Sequence, residues 1–296
     1  MSKIVVGVDG SHCSDVALSW ARREAAARGW DLTAVLTWDY LNQAGAAVGA
    51  PFDVAYDEGA AREALAEYIE RAPDDETAGV ARKAIEQQVV CDLPASGLIS
   101  AAQGADLLVV GARGQGGLRR LALGSVSTQV LDRSPGDLVI VPEAAAPAPA
   151  PGGTSGRIVV ATDGSEGATA ALRWAVEAAR TRGCTLEVVH AWEDAPLGGG
   201  FPVTATVHAR SSYEHAARQV LDGALAGVDT SGVPKVERFA LEGPAVAQVL
   251  AHARDADLLV VSSRGLGGLR GLLLGSVSRP LVHKATVPVA VIKRPH

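Results

Sequence analysis

The sequence predicts an α/β chain of two tandem, doubly wound domains, each built on a parallel sheet of five strands. Three observations carry this expectation. First, the chain repeats itself: Lys3-Ile4-Val5-Val6-Gly7-Val8-Asp9-Gly10-Ser11 returns 154 residues later as Arg157-Ile158-Val159-Val160-Ala161-Thr162-Asp163-Gly164-Ser165. Second, short Ile/Val-rich runs alternate with helical periodicity in both copies, the pattern of a sheet covered on both faces. Third, Glu143 to Gly156 is rich in Ala, Pro and Gly, which favours extended chain and cannot form a core. The expected organisation is a first domain over 1–142, a linker over 143–156 and a second domain over 157–296.

Each element follows from a local signal. Residues 3–9 are an unbroken apolar run ending in Asp9, as in a strand buried on both faces. From Ser14 to Arg28, Val16, Ala17, Trp20, Ala21, Ala25 and Ala27 lean to one side of a helix that Gly29 stops. Leu32 to Trp38 reads as the second strand, and Glu58 to Arg71 as a helix with charges at solvent-facing spacing. Ala84 to Val90 is the third strand, followed by a helix over Pro94 to Gln103 with proline in its first turn. Asp106 to Val110, Val126 to Arg133 and Asp137 to Val141 complete the set as strand, helix and strand. The second copy runs in the same order at 157–163, 167–182, 185–192, 208–226, 235–241, 245–254, 257–261, 277–284 and 288–293.

Composition excludes several classes. With 48% hydrophobic and 20% charged residues, the chain is neither disordered nor collagen-like. No run of 18 apolar residues exists to span a membrane. The net charge of −6 offers no basic field for nucleic acid or an anionic membrane, so an anionic ligand must be held by local donors. Three scattered cysteines, Cys13, Cys91 and Cys184, read as reduced thiols, and from the strand-like run after Lys3 no signal peptide is expected. A cytoplasmic location is expected. His208 and His215 lie seven residues apart without supporting ligands, so no metal site is expected.

Ligands of parallel sheets bind beyond the carboxyl ends of strands, where strand order reverses. The densest repeat lies there. Over 104–127 against 255–278, 18 of 24 positions are identical, much of it loop. The first copy carries Gly111, Arg113, Gly114, Gly124, Ser125, Val126 and Ser127, and the second Ser262, Arg264, Gly265, Gly275, Ser276, Val277 and Ser278. Glycine lets main-chain N–H groups approach a ligand, and the start of the next helix favours an anion. Ser125 and Ser127 add hydroxyls, and Arg113, Arg119 and Arg120 add positive charge. Taken singly, each glycine could only make a turn and Ser125 only cap a helix. Their concentration with interleaved arginines points to an anion-binding loop. Asp9 and Asp163 would face the same crevice, as acceptors for a ribose or base, or else make an Asx turn or helix cap. Thr37 and Ala191, at the ends of the second strands, could offer backbone groups to an adenine edge.

Familiar phosphate motifs fail. No lysine follows Gly124 or Gly275, so the loop is not GxxxxGK[ST], and Arg119 stands where GxGxxG needs glycine. Without a lysine or metal-carboxylate pair, slow hydrolysis is the most that is expected. Trp20 and Trp174 are expected in the core, whereas Trp38 and Trp192 could wall the crevice.

Gly111-x2-Gly114-x9-Gly124-Ser125, continued by Val126-Ser127 and preceded by Asp9, resembles the ATP-binding signature of the universal stress proteins. The resemblance covers nearly the whole chain as two tandem family domains. It implies a Rossmann-like, adenine nucleotide-binding fold and a stress-associated role. It also implies a homodimer or intramolecular pairing through the last strands, Leu138–Val141 and Val289–Ile292. Asp9 and Asp163 would hold the adenosine, and Val110 and Val261 would line the base or sugar pocket. Gly111, Arg113, Gly114, Gly124, Ser125 and Ser127 would hold ribose and phosphates of ATP, with or without Mg2+. Arg264, Gly265, Gly275, Ser276 and Ser278 would do so in the second copy. Ser262 departs from the signature, placing a Cβ where the backbone is expected to come closest to ligand. Asp137 takes the place of Pro288 before the last strand. The expected function is a nucleotide-dependent regulator of stress or dormancy, the alternatives being a dimerisation scaffold with empty sites and a slow ATP hydrolase.

Overall fold

The computed structural model describes residues 2–39, 57–72, 84–115, 123–145, 156–193, 203–265 and 274–293. They belong to two compact units, Met1–Ala150 and Pro151–His296. Most of the expected linker, 146–155, lies outside the described residues, as do Arg119 and Arg120.

The first unit runs β1 (Lys3–Gly7), α1 (His12–Arg28), β2 (Asp31–Trp38), α2 (Glu58–Arg71), β3 (Glu86–Cys91), α3 (Pro94–Ala101), β4 (Leu107–Gly111), α4 (Ser125–Arg133) and β5 (Leu138–Val141). Its strands lie in the order β3-β2-β1-β4-β5, all parallel. The second unit runs β6 (Arg157–Ala161), α5 (Glu166–Arg182), β7 (Thr185–Trp192), α6 (Val203–Ala226), β8 (Lys235–Glu242), α7 (Ala245–His252), β9 (Leu258–Ser262), α8 (Ser278–Lys284) and β10 (Val289–Ile292). Its order is β8-β7-β6-β9-β10, again parallel. The expected α/β doubly wound class holds in both units.

The central strands are apolar because both faces are covered. Ile4, Val5, Val6, Leu107 and Val109 have no exposed surface, nor do Ile158, Val159, Val160, Leu258 and Leu259. Chain order reverses between β1 and β4, and between β6 and β9, which opens a crevice beyond their carboxyl ends.

Several boundaries move for local reasons. β1 stops at Gly7, so Asp9 stands two residues beyond the strand instead of ending it. α1 starts at His12, earlier than its apolar face suggests, because the Ser11 side chain accepts the Ser14 N–H. Ser165 caps α5 in the same way through Ala168. Gly29 and Gly183 close these helices at φ +65° and +67°. In register, α8 starts two residues later than its counterpart α4, at Ser278, which matches Ser127, whereas α4 starts at Ser125. Pro280, standing where α4 has Gln129, has no N–H for the Ser276 carbonyl, so the helix cannot extend back to Ser276. No helix among the described residues is long and apolar enough to cross a membrane.

Candidate functional site

The crevice floor begins with an Asp-Gly-Ser turn. The Ser11 N–H donates to Asp9 Oδ1 at 3.0 Å, and the Ser165 N–H to Asp163 Oδ1 at 3.0 Å. Gly10 and Gly164 make the reversal with φ +77° and +78°, a left-handed conformation that favours glycine. Both aspartates therefore make the Asx turn that sequence allowed as one reading. Asp9 Oδ2 also accepts the Gln115 backbone N–H at 3.1 Å, and the Gln115 side-chain amide donates to the Asp9 carbonyl. The aspartate thus ties the end of the first strand to the loop after the fourth.

The motif glycines of that loop serve three different ends. A Cβ on Gly114 would stand 2.3 Å from Asp9 Oδ2, and one on Gly265 2.1 Å from Asp163 Oδ2. Those glycines let the carboxylate rest on the loop. A Cβ on Gly111 would stand 2.8 Å from the Cys13 carbonyl oxygen, so this glycine is required by α1 packing on β4. In the second unit Ser262 takes that place, and Gly167 stands opposite where the first unit has Cys13. A Cβ on Gly167 would lie 2.9 Å from the Arg264 carbonyl oxygen and 3.6 Å from Ser262 Cβ. The glycine of this pair stands on the helix here and on the strand in the first unit. The tight contact of a Cβ at Gly167 is with the Arg264 carbonyl, its distance to Ser262 Cβ being an ordinary one, and Ser262 Oγ donates to that same carbonyl at 2.8 Å.

Gly124 and Gly275 differ from the others. A Cβ there would meet its nearest atoms at 3.5 and 3.7 Å, ordinary contact distances, and neither glycine has a positive φ. Nothing within the described protein demands glycine at these two positions. Their main-chain N–H groups are used, donating to Ala112 at 2.8 Å and Ser263 at 2.7 Å.

In the second unit these parts enclose a cleft of about 360 Å³. Asp163, Ala191, Val261, Ser262, Arg264, Gly265, Gly275, Ser276, Val277 and Ser278 all line it. Thr162, His190, Val249 and Leu281 also line it and were not singled out from sequence. Trp192 is not among its lining residues. The volume falls in the usual range for small-molecule sites, about 300–1,000 Å³. Apolar Val189, Val249 and Leu281 come from β7, α7 and α8, and the polar groups come from the loops after β6 and β9.

The first unit places its candidates at the same end of its sheet. Val110 is buried at the end of β4, Ser125 is exposed at the start of α4, and Val126 is half-buried. Thr37, half-buried on β2, turns its γ-methyl toward Gly97 of α3. Arg113 donates to Glu143 at 2.6 Å, so a carboxylate from just after β5 lies on the loop's arginine. The hydroxyls expected to meet phosphate serve the protein: Ser127 Oγ donates to the Ala112 carbonyl and Ser278 Oγ to the Ser262 carbonyl, each at 2.7 Å. With their one hydrogen committed, they hold the loop in shape. Burial pushes the Cys13 thiol up, against the pull of the Arg113 backbone N–H, so it packs as a neutral group. Among the described residues no group of metal-ligating side chains assembles, and Trp20 is buried as expected.

Comparison with known proteins agrees with this geometry. The model of the universal stress protein family matches residues 1–142 and 154–293. The universal stress protein Rv2005c of Mycobacterium tuberculosis is 31% identical over 299 residues, covering 98% of this chain and 97% of the relative. A universal stress protein of Mycolicibacterium smegmatis is 32% identical over 303 residues, covering 98% and 96%. A crystal structure of a universal stress protein from Archaeoglobus fulgidus superposes with a TM-score of 0.61 at 20% identity, covering 99% of this chain and 98% of that one.

Proposed function

The chain belongs to the universal stress protein family, and on that premise we propose that it binds an adenine nucleotide and acts as a nucleotide-dependent regulator of stress or dormancy. The observation that carries the proposal is the second unit's cleft, lined by all ten residues expected there from sequence. Asp163 offers its carboxylate to ribose hydroxyls, Val261 and Ala191 flank the base, and Arg264, Gly265, Gly275 and Ser276 face the phosphates of ATP, with or without Mg2+. Asp9, Thr37, Val110, Arg113, Gly114, Gly124 and Ser125 make the matching set in the first unit. Gly124 and Gly275 fit a ligand that approaches the main chain closely, because the protein itself makes no use of their missing Cβ. Bound nucleotide engages the loop residues that follow β4 and β9 and so changes the surface shown to partners.

The test is ligand identification. Freshly purified protein is denatured, the released small molecules are identified by mass spectrometry, and the emptied chain is titrated with ATP by calorimetry. Adenine nucleotide in the release, or saturable heat on titration, is the expected result. Neither signal with any purine nucleotide would leave a scaffold with turns in place of sites. The terminal strands β5 and β10, each last in its unit's strand order, are the proposed assembly surface, within the chain or in a homodimer. A light-scattering monomer whose β5 and β10 amides both exchange freely would contradict that.

A further inference from the structure

We propose that His190 reads the base in the second unit's cleft, selecting a purine that presents an exocyclic amino group over one that presents a keto oxygen. This rests on the nucleotide-binding proposal and goes further, because it assigns a residue and a selectivity. His190 lies near the carboxyl end of β7 and lines the cleft beside Thr162 and Ala191. Its Nδ1 stands 2.8 Å from the Thr162 carbonyl oxygen. A carbonyl only accepts, so Nδ1 carries the hydrogen, and the neutral ring then presents Nε2 as a lone pair. No hydrogen-bond partner for Nε2 occurs among the described residues.

The surroundings mark this as the base end. Val249 of α7, a helix that packs on β7, lines the cleft with Val189, giving the flat apolar walls a purine needs. Arg264 and Gly275 belong to the loop on the far side of β6, reached across the strand order from β7. A ring held in one tautomer accepts a hydrogen bond from an amino group and meets a keto oxygen lone pair to lone pair. A site with a fixed polar group of this kind rejects the analogue that cannot pair with it far better than an apolar wall does. The first unit has Leu36 at the matching position of β2, so its cleft lacks this discrimination.

The experiment compares ATP with ITP, which replaces the adenine amino group by a keto oxygen. Occupancy of the second unit of the full chain is read by amide-exchange protection of 257–265 and 274–281. Wild type is expected to be protected at roughly tenfold lower ATP than ITP, the ratio that one good hydrogen bond supports. His190→Leu should bring the two half-protection concentrations together, and His190→Gln, whose amide can turn either its oxygen or its NH2 to the base, should bring them together as well. If His190→Leu still binds and keeps the wild-type ratio, the inference is overturned while nucleotide binding stands. If wild type is protected by neither nucleotide, both proposals fall together. If His190→Leu does not fold, His190→Phe takes its place with the same outcomes: half-protection concentrations brought together support the assignment, and a wild-type ratio overturns it.

Discussion

In the first unit the end of β4 places Gly111 against Cys13 of α1; in the second, β9 places Ser262 against Gly167 of α5. The contact is the same, and the residue without a side chain has moved from the strand to the helix. In each unit a Cβ added at the glycine would meet a backbone carbonyl, at 2.8 Å in the first and 2.9 Å in the second, so close packing leaves no room for it. The first motif glycine therefore answers to the fold, and its loss in the second unit is no argument against a site there. The clefts differ elsewhere, at Arg113 with its Glu143 partner, at Leu36 against His190, and at Gln129 against Pro280.

The largest expected effect lies where the two units agree. Gly114→Ala and Gly265→Ala drive a Cβ to within 2.3 and 2.1 Å of Oδ2 of Asp9 and Asp163, carboxylates already held through Oδ1 by a main-chain N–H. Each should weaken nucleotide binding in its own unit by tenfold or more and destabilise it by about 1–3 kcal/mol. Calorimetry and urea unfolding measure both. A variant that binds and unfolds as wild type would show that the Asp-to-loop contact does not organise the crevice.

A middle-sized effect tests the swap itself. Gly111→Ser puts a Cβ 2.8 Å from the Cys13 carbonyl oxygen and should cost about 2 kcal/mol. Adding Cys13→Gly places the second unit's residue pair inside the first and removes the Cys13 Cβ, 3.0 Å from the new Cβ, but not the carbonyl, so the pair should be less damaging than the sum of the single changes by about 0.5–1 kcal/mol. Strictly additive denaturation midpoints would mean the two positions are unrelated.

The sequence made the repeat, the alternation of strands and helices, and the crevice legible, because each is written in local patterns of apolar residues and glycines. The second unit's lining residues were legible for the same reason: two loops and one strand end supply most of them. What escaped reading depends on residues far apart in the chain. Gly111 and Cys13 are 98 positions apart, and no single-sequence period connects them. Ser127 and Ser278 look like phosphate donors by position, and only the folded loop shows their hydrogens already given to carbonyls. Glu143 was read as the first residue of a spacer, yet it returns to Arg113 across the end of the sheet. Pro280 was the exception, a visible signal for the late start of α8 that the repeat's similarity obscured.

The smallest effect would separate the clefts by charge. Glu143 pairs with Arg113 at 2.6 Å, with side chains 48% and 24% exposed, so the ion pair itself is weak, worth about 0.2–1 kcal/mol. Its consequence for a ligand is competition, since a phosphate approaching Arg113 must displace a carboxylate and meets its negative charge. Position 294, which matches 143 in the repeat, carries Arg294, so the second unit's sequence has the opposite sign there. Glu143→Gln keeps the shape and removes the charge. ATP protection of 107–115 should then appear at about two- to fivefold lower concentration, the range a surface pair supports. Protection of 257–265 should not move, and the gain should fade in high salt, where exposed charges are screened. A salt-independent gain would trace the effect to loop packing, and unchanged binding in the first unit would remove Glu143 as the source of its difference from the second.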